Sequence, residues 1–194
     1  MARELIESRL GRAVVVAASF ILILVLVLFA ISYLVSALLG LPSSLNLPPV
    51  VRIIGGVTVV AGLATMGWVF SYRSPVVMIT STYVTFLKLF RRVPVADRSG
   101  RTEPLVVAGP QKYVRNPLYF GVVVMVFGWA LVGGYTFVFV ATLMILLWFR
   151  FVIIPFEEKE LLVLFGERYA KYASEVPMLV PFTRRKRRVG ASYR

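Results

Sequence analysis

Residues 13–39, AVVVAASFILILVLVLFAISYLVSALL, run for 27 positions without a charge. A helix rises about 1.5 Å per residue, so this run outspans a hydrocarbon core of about 30 Å and predicts a tilted membrane-spanning helix. GLPSSLNLPP then breaks it with three prolines, and a second apolar run follows over residues 50–72. Gly55, Gly56, Ala61, Gly62, Ala64 and Gly67 in that run let helices approach closely in lipid, which predicts a span packed inside a bundle. Residues 75–90, PVVMITSTYVTFLKLF, place Ser81, Thr85 and Lys88 on one helical stripe. They read as a short third span with Lys88 snorkelling at its end, or alternatively as an interfacial helix.

Residues 116–149 contain 34 uncharged positions, which as one helix would extend about 51 Å, well beyond a bilayer core. Gly133-Gly134 supplies permissive backbone near the middle, so the pattern predicts a helical hairpin with arms 117–132 and 135–154. Residues 156–175, FEEKELLVLFGERYAKYASE, read as an amphipathic helix with Leu161, Leu164, Phe165 and Tyr169 on its apolar face and Gly166 tolerated inside it. Both hairpin ends emerge on one side, where residues 91–115 and 155–194 meet. The predicted fold class is an all-α integral membrane protein with about five transmembrane helices, a four-span version being the alternative. Residues 1–92 form the N-terminal transmembrane helices, and residues 93–194 form a catalytic region whose binding segments flank the hairpin.

Composition agrees: 59% of residues are hydrophobic, 16% are charged, and mean hydropathy is +0.83, more apolar surface than a soluble globule of this size buries. The 22 Lys and Arg against 9 Asp and Glu would point to nucleic acid in a soluble protein. Here the cations flank apolar runs, so they read as topology determinants and contacts to anionic lipid, with no nucleic-acid partner. Arg91, Arg92, Arg98, Arg101 and the RRKRR run at 184–188 make the polar side cytoplasmic by the positive-inside rule. Five spans leave Arg3, Arg9 and Arg12 on the opposite side; four spans do not. The first apolar run is too long for a cleaved signal peptide. The chain lacks cysteine and histidine, which excludes thiolate nucleophiles, Ser-His-Asp hydrolysis and the usual metal sites, so no metal is expected.

The chemistry then centres on GPQKYVRNPLYFG, residues 109–121. Lys112 and Arg115 supply cations, Asn116 suits a helix N-cap, and Pro117 suits the first helical position. A helix N-terminus also attracts a carboxylate. Glu157 and Glu158 would face this segment from the other arm, a pairing that suits a zwitterion. Arg150 interrupts an apolar run and is expected to face a cavity or a carboxylate, with a snorkelling anchor as the alternative.

The pattern G-P-x-x-Y-x-R-N-P-x-Y-x-G at 109–121 is followed by E-E-x-x-L at 157–161, F-G-x-x-Y-x-x-Y at 165–172 and V-P at 176–177. In that order, around a hairpin, these resemble the signatures of the integral-membrane methyltransferases, the superfamily of isoprenylcysteine carboxyl methyltransferases and phospholipid N-methyltransferases. The resemblance covers about residues 109–182. It implies S-adenosylmethionine as methyl donor, S-adenosylhomocysteine as its product, and a membrane lipid or lipid-tailed acceptor as partner. The implied donor site comprises Gln111, Lys112, Tyr113, Val114, Arg115, Asn116, Pro117, Tyr119, Gly121, Glu157 and Glu158, with Arg150 and Glu158 as catalytic candidates. Asn116 stands where the family has histidine, and Gln111 where it has an aromatic residue. An amide cannot titrate, so no mechanism here uses an imidazolium at that position. A carboxylate acceptor is already ionised at neutral pH whereas an ammonium must first lose a proton, which favours carboxyl O-methylation of a prenylated substrate over phospholipid N-methylation. An NADPH-dependent reductase resembling the sterol reductases and a non-catalytic scaffold are the competing classes.

Overall fold

A computed structural model describes residues 2–76, 78 and 105–181. Helices α1 (Ala2–Leu38) and α2 (Pro49–Phe70) come first. A 3₁₀ turn (Gly109–Lys112) leads into α3 (Pro117–Gly133) and α4 (Thr136–Trp148). A π-turn (Phe149–Ile153) connects to α5 (Ile154–Phe165), and α6 (Glu167–Glu175) closes the described chain. The described residues carry no strand beyond an isolated bridge between Ser44 and Tyr135. Three stretches are long and apolar enough to cross a membrane: Val14–Leu38, Pro49–Phe70 and Thr136–Phe165. The apolar α3 is shorter, at 17 residues.

Val126, Ala130, Val138 and Ile145 of the hairpin form the buried hydrophobic core, and α2 joins α3 in a close seam made possible by glycine. A Cβ added at Gly62 would lie 2.6 Å from the Met125 backbone N, and one at Gly128 would lie 2.6 Å from the Val59 backbone N. Gly55 and Gly121 are as tightly covered, by Leu131 and Met66 respectively. The four glycines repeat every seven residues on each helix and pair antiparallel, Gly55 with Gly128 and Gly62 with Gly121. Such close approach replaces the hydrophobic driving force that lipid removes. Gly56 and Gly67, included in the same sequence signal, face open space.

Helix α1 packs differently. Leu22, Leu26 and Leu34 stay exposed, as suits a face toward lipid tails, while Ser32 and Ser36 are buried. Each hydroxyl donates to the carbonyl four residues back, Leu28 O and Ser32 O, at 2.8 Å, so neither needs water. Phe29 and Tyr33 meet Phe137 of α4 edge-on, with centroids 6.4 and 5.9 Å away.

The hairpin turns where expected, on Gly134 in the left-handed region (φ +71°), open to glycine at no steric cost. The α1–α2 loop covers the turn: Leu45 N–H donates to Gly134 O at 2.7 Å, and Thr136 N–H donates to Ser43 O at 3.3 Å. The end of α1, the start of α2 and the hairpin turn therefore share one side. The antiparallel seam puts the end of α2 and the start of α3 on the other. Among the described residues, the three membrane-length stretches and the shorter α3 stand for the expected spans. Apart from Pro75, Val76 and Met78, the expected span over 75–90 lies outside the described residues, as do Arg91, Arg92, Arg98, Arg101 and the RRKRR run.

Two findings concern the second arm. Helical backbone continues past 154, from Thr136 to Phe165, 30 residues, but through a π-turn that the sequence pattern did not announce. Pro155 explains the turn, because it has no N–H for Phe151 O and its ring clashes with that carbonyl. The chain widens there, and Ile154 N–H bonds Phe149 O, five residues back. The helix expected over 156–175 is two helices, because Gly166 takes φ +52°, ψ −129° and breaks it. A side chain there would be strained, so Gly166 acts as a corner.

Candidate functional site

The segment 109–116 and the segment 172–178 lie at opposite ends of the hairpin in sequence and are stitched together in space. Arg115 N–H donates to Pro177 O at 2.9 Å, and Asn116 N–H to Met178 O at 3.2 Å. The Tyr172 hydroxyl donates to Gln111 O at 2.8 Å, and Arg115 Nη1 donates to Ala173 O. At the centre, Arg115 Nη2 sits 2.9 Å from Glu158 Oε1 and 3.1 Å from Glu158 Oε2. The Arg115 side chain is only 4% exposed, and that of Glu158 17%. Breaking one partner of such a pair leaves a buried charge uncompensated.

Asn116 occupies the N-cap position of α3, but its side chain makes no cap. Its amide donates instead to Met178 O at 3.0 Å and reaches toward Glu158 Oε1 at 3.5 Å. The capping expectation is thus corrected: a third residue of the chain competes for the amide and wins.

Beside this clamp opens a partly enclosed cleft whose lining is divided between polar and apolar residues. Six of the residues expected at the site line it: Gln111, Arg115, Asn116, Pro117, Tyr119 and Glu157. Glu157 is buried and accepts a hydrogen bond from the Tyr119 hydroxyl at 2.8 Å. Tyr119 is in turn stacked at 4.5 Å, tilted, on Phe149 of the π-turn. Val69, Leu105, Val106, Leu161 and Phe165 give the cleft an apolar wall.

The remaining expected site residues stand elsewhere. Glu158 is turned to Arg115 and Asn116, not among the cleft's lining. Val114 is buried behind the clamp, and Gly121 belongs to the seam, where an added Cβ would lie 2.9 Å from Met66 Cγ. Lys112 and Tyr113 are exposed, the Tyr113 ring lying 5.9 Å from that of Trp68. Arg150 is exposed on the π-turn with its guanidinium 5.4 Å over the Phe151 ring, and it is not among the cleft's described lining. Its alternative as a snorkelling anchor fits this placement.

Three polar residues of the cleft were missed: Arg73, Tyr169 and Tyr172. The tyrosines were visible as the last positions of F-G-x-x-Y-x-x-Y. Arg73, just past the second apolar run, carried only the signal of a topology anchor. Burial, then the negative Glu158 beside it and its hydrogen bond, push the Tyr169 phenol above its ordinary range. Burial also pushes Tyr172 up to about 12, with Arg115 pulling the other way. Both therefore stand as neutral donors at neutral pH.

The cleft also holds polar atoms ready for a ligand. Gln111 Oε1 and Arg115 Nε are buried without a hydrogen-bond partner, and buried orphan groups of this kind are uncommon in folded proteins. An amide oxygen and a guanidinium N–H suit an ammonium and a carboxylate, the two ends of an amino-acid moiety. The residues present thus fit the S-adenosylmethionine that the motifs imply. Among the described residues no three His, Cys, Asp or Glu gather to hold a metal.

The described residues form a helical, membrane-embedded protein with a partly polar cleft at one end of its bundle. Residues 95–168 match the phospholipid methyltransferase family. Over 137 residues the chain is 33% identical to a methanethiol S-methyltransferase of Crocosphaera subtropica, covering 64% of this chain and 47% of that one. Over 77 residues it is 39% identical to methanethiol S-methyltransferase 1 of Bradyrhizobium diazoefficiens, covering 38% of this chain and 25% of that one. The matches thus span less than half the length of these curated relatives. No solved structure gives a significant match. These findings support the integral-membrane methyltransferase superfamily as the family of this chain, the resemblance its two motifs carry.

Proposed function

We propose that the chain is an S-adenosylmethionine-dependent membrane methyltransferase whose acceptor is a small apolar thiol. The observation that carries this reading is the buried Glu157–Tyr119 pair in the same cleft as the apolar Val69, Leu161 and Phe165, beside the orphaned Gln111 Oε1 and Arg115 Nε. When bound, the donor's sulfonium supplies an electrophilic methyl group and departs as a neutral thioether. Gln111 and Arg115 hold the donor's amino-acid end, and Arg73 adds a second cation in the same cleft. Glu157 takes the proton of the acceptor thiol, so that sulfur attacks as a thiolate, and the Tyr119 hydroxyl fixes the orientation of that carboxylate. The apolar wall excludes water and aligns the acceptor, and such alignment is worth up to about 7–11 kcal/mol of a barrier. Asn116, the residue in place of histidine, is a clamp in this scheme and exchanges no proton.

The relatives named for methanethiol support the thiol reading, and so does a buried carboxylate, since a thiol must be deprotonated first. A second reading, carboxyl O-methylation of a prenylated substrate, rests on the apolar wall that would receive a hydrocarbon tail. Purified full-length protein with radiolabelled donor should methylate an alkanethiol, whereas preference for a prenylcysteine analogue or for phosphatidylethanolamine would replace this acceptor. Binding of NADPH but not S-adenosylhomocysteine would overturn the class. We place the site on the cytoplasmic face. Arg73, Lys112, Arg115, Lys159, Arg168 and Lys171 all lie at its end of the bundle, against Arg52 at the loop end among the described residues.

A further inference from the structure

The chain carries a second groove, on the outside of the polar cap. Lys112 of the 3₁₀ turn and Arg168, Lys171 and Glu175 of α6 are among its described lining residues. All three cations are exposed, and Arg168 and Lys171, three positions apart, share a face of α6 opposite the one that buries Tyr169. Tyr113, next to Lys112, is 48% exposed and lies against the 45% exposed Trp68 in the last turn of α2, and such aromatic pairs mark a membrane–water interface. The groove's net formal charge is positive, and the whole chain carries +13.

We propose that this groove binds the phosphate of an anionic phospholipid. The site is coupled to the cleft: Leu105 and Tyr172 line both cavities, and the Tyr172 hydroxyl holds Gln111 O, so a lipid seated outside steadies the inner wall. Lipid capture does not depend on the methyl-transfer reading, and it can fail while donor binding survives.

The test uses the full chain, purified in detergent and offered equal amounts of phosphatidylglycerol, phosphatidylcholine and phosphatidylethanolamine, with retained lipid read by native mass spectrometry. Wild type should retain phosphatidylglycerol in preference to the other two. Arg168→Gln and Lys171→Gln should each weaken that retention about fivefold, the effect of one cation near an anionic surface, and Lys112→Gln should do the same. Donor-product affinity of the Arg168→Gln/Lys171→Gln double variant, measured without added lipid, should stay at the wild-type level, which shows that the variant is folded. Equal retention of all three lipids by wild type, or an unchanged preference in a folded double variant, would overturn the proposal. So would stronger retention of phosphatidylethanolamine that Glu175→Gln abolishes, because the groove would then read a zwitterion.

Discussion

The α2–α3 seam and the polar cap solve the same problem with opposite chemistry. In the seam, two apolar helices hold together by bringing backbone against backbone, and four glycines make room. In the cap, two chain segments hold together through a buried guanidinium, a carboxylate, an amide and several carbonyls. Lipid offers no hydrophobic gain to the first, and water competes with every bond of the second. The seam therefore tolerates no added atom, and the cap no deleted one.

The largest effect is expected in the cap. Glu158→Ala should cost about 3–5 kcal/mol, because Arg115 is left buried and uncompensated. Thermal unfolding in detergent checks it, and Arg115→Ala/Glu158→Ala should lose less than the two single variants summed. If the sum is simply additive, the pair does not act as a clamp.

The seam comes next. Gly62→Leu should cost about 3 kcal/mol, since its Cβ would meet the backbone of Met125, which cannot rotate away. Gly67→Leu is the matched control: nothing lies within 4 Å of its Cβ, and its unfolding temperature should not fall.

A smaller effect belongs to the cleft. Tyr119→Phe should lose about 1.5 kcal/mol of stability through its bond to a charged carboxylate. On the proposed function it should also lower turnover on a thiol more than donor affinity. A turnover unchanged from wild type would remove Glu157 orientation from the mechanism.

The cap also has a pH response of its own. Tyr172 titrates higher folded than unfolded, so its contribution is complete below about pH 10 and is lost as pH rises through about 12. Phenolate absorbance should show late-titrating tyrosines, with one fewer in Tyr172→Phe. The smallest effect is expected at Arg150→Gln, within about 0.5 kcal/mol in stability, because the side chain is exposed. A large loss of donor binding there would return Arg150 to the site.

What the sequence disclosed follows the same divide. Uninterrupted apolar runs and the Gly133-Gly134 pair made α1, α2 and the hairpin legible, because span length and turn chemistry are local properties. The meeting of Arg115 with Glu158 was legible too, since a hairpin of known length dictates which ends meet. What escaped depends on choices between neighbours. Nothing local told that Asn116 would abandon its cap for Met178 O, or that Glu157 and not Glu158 would face the cleft. Gly121 belonged to a motif and to a seam at once, and only the partner helix decided which use prevailed.

The widened turn before Pro155 has a bearing on how such a protein can vary. One surplus residue in an α-helix advances everything beyond it by about 100° around the axis. The carboxylates at 157 and 158 therefore owe their heading to an insertion upstream, in the way a gear owes its timing to one tooth. Excising a single position between Phe149 and Ile153, together with Pro155→Ala, should leave the rod intact and swing both acids off their partners. Relatives that lacked this insertion would have to present different side chains to the same ligand.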